Sequence, residues 1–191
     1  MKLCVFQGTF NPIHNAHLRV VDFVLGKYDF DKILIIPAYQ PPHKNFNPEM
    51  SFHRLEMVKL AFEGINKVEV SDIEYKREDK SYTYLTICEL YKKYNIDGKI
   101  NFIIGTDAFD FIESWYKADK LKELVKFIIF KRENNFQDLK YDKLKQQGYN
   151  FKIENLTFED ISSSEIRKNK NTDYLPEKIK EYILKNGLYE N

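Results

Sequence analysis

Cysteine, long apolar runs and basic leader-type segments are scarce or absent in this sequence. Its two cysteines, Cys4 and Cys88, are too few for a disulfide framework, and both lie in apolar segments, which predicts buried, reduced thiols. There is no run of about 18 apolar residues, and no apolar segment follows basic residues at the N-terminus. We therefore expect a cytoplasmic protein with neither a secretory signal nor a membrane-spanning segment.

Net charge and glycine patterns exclude further classes. Lysine and arginine number 30 and aspartate and glutamate 29, so the net charge of +1 provides no overall field to attract DNA or RNA. Glycine occurs 7 times, without the Gly-x-Gly-x-x-Gly fingerprint or the Gly-x-x-x-x-Gly-Lys-Ser/Thr loop. The dinucleotide fingerprint and the P-loop are therefore excluded as phosphate-binding devices, and no nucleic-acid partner is expected.

The chain does contain enough apolar material for a core. Apolar residues make up 43% and aromatic residues 15% of 191 residues, which argues against disorder. This length fits one domain, predicted to span residues 1–191. A homo-oligomer is compatible with the sequence, which does not fix the oligomeric state.

Short apolar runs alternate with helical patterns along the chain. Runs of strand length occur at Leu3–Phe6, Ile33–Ile36, Val68–Val70, Ile100–Ile104, Phe127–Phe130 and, more weakly, Phe151–Ile153. Helical patterns fall at His17–Leu25, Phe52–Phe62, Tyr84–Tyr94, Ala108–Leu124 with a break, Leu139–Gln146 and Pro176–Lys185. This order predicts an α/β fold, a Rossmann-like doubly wound parallel sheet with helices on both faces.

The most informative segment joins the first predicted strand to the first predicted helix. Gly8 and Thr9 fall on the turn, and His14 and His17 fall where the helix begins. A helix N-terminus has unpaired N–H groups and a partial positive charge, which favour an anion such as phosphate. Imidazoles add hydrogen bonds and, when protonated, positive charge. The segment therefore predicts a site for a nucleotide triphosphate.

A second polar segment, Gly105-Thr106-Asp107, ends the fourth predicted strand. In open parallel sheets, ligands bind beyond the carboxyl ends of the strands, where the strand order reverses. If the first and fourth strands are neighbours, His14, His17 and Asp107 line one crevice.

A third polar segment lies near the C-terminus. Ser162, followed three residues later by Glu165, forms a capping box and predicts the start of another helix. Its N–H groups, the hydroxyls of Ser163 and Ser164, and Arg167 would form a second anion site. Taken alone, the pattern is more typical of a plain helix cap.

Together, two of these segments resemble a known pair of motifs. Gly8-Thr9-Phe10-Asn11-Pro12-Ile13-His14-x-x-His17 and Ile161-Ser162-Ser163-Ser164-x-Ile166-Arg167 resemble the signatures of the nucleotidylyltransferase superfamily. Within it, the chain is similar nearly end to end to the bacterial nicotinate-nucleotide adenylyltransferases. The further matching segments are Pro41-Pro42-His43-Lys44, Ser81-Tyr82-Thr83, Phe102–Asp107 leading to Trp115, Leu175-Pro176-Glu177, Tyr182-Ile183 and Gly187-Leu188-Tyr189.

The resemblance implies an enzyme of NAD biosynthesis with the nucleotidylyltransferase fold. It would transfer the adenylyl group of ATP to nicotinate mononucleotide, releasing pyrophosphate, with Mg²⁺ bridging phosphate oxygens and no metal ligand from protein side chains. The implied catalytic residues are His14, His17, Lys44 and Arg167. The implied ATP-binding residues are Gly8, Thr9, Phe10, His14, His17, Gly105, Ser163, Ser164 and Arg167.

The same resemblance implies how the pyridine nucleotide is bound, by Lys44, Thr83, Asp107, Trp115 and Tyr116. Trp115 would stack on the ring, and Thr83 with the Trp115–Tyr116 backbone would bind the ring carboxylate. Asp107 would orient the substrate.

The chain departs from the family pattern at four positions. Gln7 replaces the usual first glycine, so we expect the backbone near the adenosine to be less open. Asn11 replaces the common aspartate, and Ala16 stands where a glycine precedes the second histidine. Ser164 replaces a threonine but keeps the hydroxyl. None of these changes removes a donor assigned to catalysis.

Several alternatives stay open. A nicotinamide mononucleotide enzyme would share the fold and the chemistry, a phosphopantetheine transferase is a more distant sibling, and a nucleotide-binding regulator would have lost turnover. Among single residues, His14 and His17 could form half of a metal site, Trp115 could be a core aromatic, and Asp107 could cap a helix. We expect Arg54 and Arg132 to pair on the surface, although Arg132 follows a strand and could face a ligand.

Overall fold

A six-stranded sheet organises the computed structural model, which describes residues 1–43, 46–77, 80–131, 138–156 and 161–190. The strands are β1 (Leu3–Gly8), β2 (Lys32–Pro37), β3 (Val68–Val70), β4 (Ile100–Gly105), β5 (Val125–Phe130) and β6 (Phe151–Glu154). They lie in the order β3-β2-β1-β4-β5-β6, and every neighbouring pair is parallel. The predicted α/β fold with a doubly wound parallel sheet is confirmed.

The helices follow the predicted order. They are α1 (Asn15–Lys27), α2 (Pro48–Phe62), α3 (Thr83–Lys93), α4 (Thr106–Phe109), α5 (Ala118–Leu124), α6 (Asp138–Gln146), α7 (Ser163–Asn169) and α8 (Glu177–Lys185). Short 3-10 turns occur at Ile73–Lys76 and Ile112–Ser114. The predicted break between 108 and 124 is confirmed, since Lys117 adopts a left-handed φ of 53° just before α5.

Both faces of the sheet are covered because successive strand residues point to opposite sides. In β1, Cys4 packs into the core beneath α1, α2 and α8, whereas Leu3 and Val5 pack into the core beneath α3, α5 and α6. This is why the strands read as continuous apolar runs rather than alternating ones. None of the described helices combines the length and hydrophobicity that a membrane span requires.

The two cysteines differ in environment. Cys4 is fully buried, and burial raises the pKa of its thiol, so it stays neutral. Cys88 is only half-buried, because it lies about 100° around α3 from the buried Ile87. The prediction of a buried thiol is therefore right for Cys4 and only partly right for Cys88. Both are free thiols.

A buried carboxylate ties the edge of the sheet to the end of α1. Glu154, 3% exposed at the end of β6, accepts hydrogen bonds from Lys27 Nζ at 2.5 Å and from the Tyr28 hydroxyl. Lys152 Nζ lies 3.1 Å from the same carboxylate. Burial raises the pKa of Glu154, but the hydrogen bonds from Lys27, Tyr28 and Lys152 outweigh it and hold that pKa below its usual value. The carboxylate therefore stabilises the fold above its unfolded-state pKa, and this contribution is lost as the pH falls through the folded-state value.

We predict that Glu154→Gln lowers the free energy of unfolding at pH 7 by about 1.5–3 kcal/mol, the usual value of hydrogen bonds to a charged group. Below pH 4.5, the ordinary glutamate value, the gap between variant and wild type should narrow, because the wild-type carboxylate becomes protonated. Urea denaturation at several pH values measures both effects. Glu63→Gln, which removes an exposed ion pair with Lys178, should stay within about 0.5 kcal/mol of wild type. A gap that is constant down to pH 3 would contradict the argument.

Candidate active site

The site lies where β1 and β4 end side by side. The two strands pair in parallel, with Val5 opposite Phe102, so Gly8 and Gly105 reach the same edge of the sheet. A cavity of about 640 Å³ opens beyond this edge, a volume typical of small-molecule sites. The predicted site residues that line it are Gly8, Thr9, Phe10, His17, Thr83, Gly105, Asp107, Trp115, Tyr116 and Ser163.

Three other predicted residues are not among those that line the cavity. His14 is buried, with its ring next to that of His17, and Ser164 and Arg167 follow Ser163 on α7. Lys44 falls outside the residues that the structure describes. Arg132, the second arginine considered above, also lies outside them.

The two histidine rings lie close together at the start of α1, with their planes tilted by 34°. His14 is the residue preceding the helix and is 1% exposed, and its ring lies 3.8 Å from that of His17, centroid to centroid. Nδ1 of His17 accepts a hydrogen bond from the backbone N–H of His14 at 3.2 Å. Because Nδ1 is an acceptor, the proton of the neutral His17 ring is on Nε2. His17 therefore presents a fixed tautomer at the wall of the cavity.

The turn after β1 is shaped by Phe10. This residue adopts a left-handed φ of 49°, and its ring packs edge-on against Phe6 at 5.3 Å and His17 at 5.0 Å. The ring also crosses the backbone of Gly8, where an added Cβ would lie 2.9 Å from Cζ of Phe10. Glycine is therefore required at position 8 for the ring to occupy this place.

The two segments that the sequence singled out as phosphate-binding meet at the Asn11–Pro12 turn. Ser163 Oγ donates to the carbonyl oxygen of Pro12 at 2.9 Å, and Arg167 donates to the carbonyl oxygen of Asn11. The Tyr189 hydroxyl donates to Oδ1 of Asn11 at 2.6 Å. Helices α1 and α7 are thereby held as one unit, although about 150 residues separate them along the chain.

The residues predicted to bind the pyridine nucleotide line the same cavity and come from elements that pack on the other face of the sheet. Thr83 begins α3, and Trp115 and Tyr116 lie between the second 3-10 turn and α5. Trp115 is half-buried, edge-on to Phe102 at 6.3 Å, and Tyr116 packs on Tyr82 at 4.6 Å. A partly exposed aromatic ring on a cavity wall can stack on a flat ligand.

One expectation was wrong: Arg54 does not lie on the surface. It is 3% exposed, and its guanidinium donates to the carbonyl oxygens of Thr9 at 2.7 Å, Ala38 at 2.6 Å and Tyr39 at 3.0 Å. Burial lowers its pKa below the usual arginine range. Arg54 thus joins the turn after β1 to the loop after β2. A sign of this was present in the sequence, because Arg54 shares the apolar face of α2 with Leu55 and Val58.

The sequence interpretation also missed Glu74, a buried carboxylate of the first 3-10 turn. Burial raises the pKa of Glu74, opposed by hydrogen bonds from Ser81 and Thr86 and by the charge of Arg77. No periodic pattern around Glu74 could have revealed it, because it lies in a single short turn.

Comparison with known proteins agrees with this geometry. Residues 5–169 match the cytidylyltransferase-like family. The chain is 41% identical over 167 residues to a protein of Fusobacterium nucleatum described as a probable nicotinate-nucleotide adenylyltransferase, covering 87% of this chain and 86% of that one. It is 38% identical over 192 residues to the nicotinate-nucleotide adenylyltransferase of Bacillus subtilis, covering 100% and 99%. The chain belongs to the nicotinate-nucleotide adenylyltransferase family.

The fold of this nicotinate-nucleotide adenylyltransferase family member is found in solved structures. Plasmodium falciparum nicotinic acid mononucleotide adenylyltransferase complexed with NaAD matches it with a TM-score of 0.82, covering 99% of this chain and 97% of that one at 24% identity. At this identity the match establishes the shared fold alone.

We predict that Arg54→Met destabilises this family member by about 3 kcal/mol, because one buried and two partly buried carbonyl groups lose their donor and an unsatisfied buried group costs about 1–3 kcal/mol. Arg54→Lys should recover only part of this loss, since an ammonium group cannot reproduce the planar fork. Chemical denaturation measures both. Lys59→Met, on the exposed side of the same helix, is the control and should change stability by less than about 0.5 kcal/mol. An Arg54→Met variant as stable as this control would refute the assignment.

Proposed function

We propose that this family member transfers the adenylyl group of ATP to nicotinate mononucleotide, giving nicotinate adenine dinucleotide and pyrophosphate. The observation that carries the proposal is one cavity lined by two groups of residues. His17 and Ser163, from helices α1 and α7 that cover one face of the sheet, and Thr9 in the turn before α1 offer hydrogen-bonding groups to a triphosphate. Thr83, Trp115 and Tyr116, from α3 and the segment before α5 that cover the other face, offer an aromatic surface and polar groups to a pyridine ring. We call these two groups the phosphate wall and the pyridine wall.

The reaction needs no general base from the protein. A phosphate oxygen of nicotinate mononucleotide attacks the α-phosphorus of ATP, a new P–O bond forms, and the bond to the bridging oxygen of the β-phosphate breaks. The attacking phosphate, with a second pKa near 6, is largely ionised at pH 7. The work of the protein is to bring two anions together and to stabilise charge on the departing pyrophosphate.

The phosphate-side roles follow from the hydrogen bonds described above. His17 donates from Nε2 to a phosphate oxygen near the reacting centre, while the His14 backbone fixes the tautomer and the His14 ring packs behind it. The N-terminus of α1 adds its partial positive charge. The family resemblance adds Ser163, Ser164, Arg167 and Lys44 along the triphosphate. Because the Ser163 hydroxyl donates to the carbonyl oxygen of Pro12, it would have to turn toward a phosphate to take this role. Gly8, Thr9, Phe10 and Gly105 form the floor on which ATP lies.

The pyridine-side roles rest on the family resemblance and on the place of these residues in the cavity lining. Trp115 stacks on the nicotinate ring, Thr83 and the Trp115–Tyr116 backbone bind its carboxylate, and Asp107 accepts hydrogen bonds from ribose hydroxyls. A site built to pair a carboxylate discriminates strongly against the amide, because its buried donors would be left unpaired.

A magnesium ion fits this set of residues as a companion of ATP. Asp107 is the one carboxylate among the described residues that line the cavity, so the ion would be held mainly by phosphate oxygens and water. When bound, Mg²⁺ neutralises charge on the triphosphate. The cytoplasmic location, the single domain over 1–191 and a homo-oligomeric state stay predictions.

We predict that His17→Ala lowers kcat by about 10²–10³, the usual effect of removing one preorganised donor. Pyrophosphate release with ATP, Mg²⁺ and nicotinate mononucleotide measures it. His53→Ala is the matched control, since His53 bonds the Tyr182 hydroxyl on α8 rather than the cavity, and its kcat should stay within about twofold. An equal loss of kcat in both variants would show that His17 has no specific role in the reaction.

The choice between the acid and the amide mononucleotide tests the roles proposed for the pyridine wall. The acid mononucleotide should be preferred over the amide, and Thr83→Ala should reduce this preference by about tenfold, since a hydrogen bond to a charged group is lost. The comparison of kcat/KM for the two substrates measures it. Equal or reversed preference in the wild type would favour the nicotinamide mononucleotide enzyme. ATP binding without pyrophosphate release would favour the regulator.

A further inference from the structure

A buried carboxylate outside the phosphate wall accepts hydrogen bonds from distant parts of the chain. Glu74 is 1% exposed. Its Oε1 accepts from Nε2 of Gln7 at 2.6 Å and from the hydroxyl of Thr86, and its Oε2 accepts from the backbone N–H of Tyr39 at 3.3 Å. The Ser81 hydroxyl also hydrogen-bonds to it. Four donors from three separate segments therefore converge on one carboxylate.

These three segments all reach the cavity. Gln7 is the penultimate residue of β1, and Ser81 leads into the first turn of α3, which contains Thr83 and Thr86. Gln7, Ser81 and Thr83 line the cavity themselves. Ser81 is held further by two hydrogen bonds of 2.9 Å with the backbone of Gln40. The position of Thr83 therefore depends on the hydrogen bonds that Ser81 and Thr86 donate to Glu74.

Glu74 also fixes the orientation of the Gln7 amide. A carboxylate accepts hydrogen bonds, so the group that faces it must be the amide nitrogen. The opposite atom, Oε1 of Gln7, is buried and has no hydrogen-bond partner among the described residues. Glu74 thereby holds the Gln7 side chain, which lines the cavity, in one orientation.

Arg54 holds the same loop from the other side. The Tyr39 peptide N–H is bonded to Glu74, and the Tyr39 carbonyl oxygen is bonded to Arg54. Arg54 then reaches the Thr9 turn on the phosphate side, whereas Glu74 reaches Gln7, Ser81 and Thr86. Arg54 therefore supports the Thr9 side of the cavity, and Glu74 supports the side that contains Gln7 and Ser81.

We infer that Glu74 is a positioning residue for the pyridine nucleotide, one that sets the place of the Gln7 and Ser81–Thr83 wall without touching ATP. This rests on the proposed function, because it assigns the mononucleotide to that wall. An amide at position 74 cannot substitute: its NH₂ group would oppose either the Tyr39 N–H or the pair of donors from Gln7 and Thr86.

The test compares two buried carboxylates. Glu74→Gln should raise KM for nicotinate mononucleotide about tenfold, while KM for ATP and kcat stay within about twofold. Glu154→Gln is the matched control, since Glu154 is equally buried and has several donors but lies outside the cavity. It should lose stability without a change in either KM. Parallel changes in both KM values, or the same KM change in Glu154→Gln, would overturn the positioning role.

A second variant covers the case in which Glu74→Gln fails to fold. Thr86→Val removes one donor to Glu74 from a residue that does not line the cavity. It should raise KM for the mononucleotide about threefold and leave KM for ATP unchanged, whereas an unchanged KM for both would overturn the inference. Failure of the proposed function is a separate outcome, because it would appear as absent turnover in the wild-type enzyme.

Discussion

The parallel pairing of β1 with β4 is the constraint on which the rest of the site depends. It brings Gly8 and Gly105 to one edge of the sheet, although nearly a hundred residues separate them. From this edge the chain leaves toward β2 on one side and β5 on the other, so the following loops diverge and leave a crevice. A different neighbour for β1 would separate the histidines from the residues around Trp115.

Polar bonds in the loops hold the crevice open together with the packing of the Phe10 ring. Loops at strand ends expose carbonyl and N–H groups that the sheet ladder does not satisfy, and each must find a partner when buried. Arg54 supplies donors to Thr9, Ala38 and Tyr39, and Glu74 supplies acceptors to Tyr39 and Gln7. Such bonds are directional, which apolar contacts are not. They specify the shape of the loops, while the apolar core specifies the sheet.

This division explains what could be predicted from the sequence. The strands and helices were predictable because burial on two faces produces continuous apolar runs such as Ile33–Ile36 and because cap residues such as Ser162 mark helix starts. The crevice followed from the polar residues at the ends of β1 and β4. Arg54 and Glu74 were not predictable as bridging residues, since their partners are mainly groups of remote loops. The apolar face of α2 could indicate that Arg54 is buried, but only the folded chain brings its hydrogen-bond partners within bonding distance.

The departure at Gln7 shows how the alternation of a strand directs a substituted side chain. With Gln7 in place of the usual glycine, the backbone near the adenosine is expected to be less open, and this stays a prediction. Alternation along β1 places Gln7 on the same side as Leu3 and Val5, opposite Phe6, whose ring packs near His17. Its amide nitrogen donates to Glu74. The substitution therefore places an oriented amide on the face of the sheet that α3 covers, while Gly8 leaves the space that the ring of Phe10 occupies.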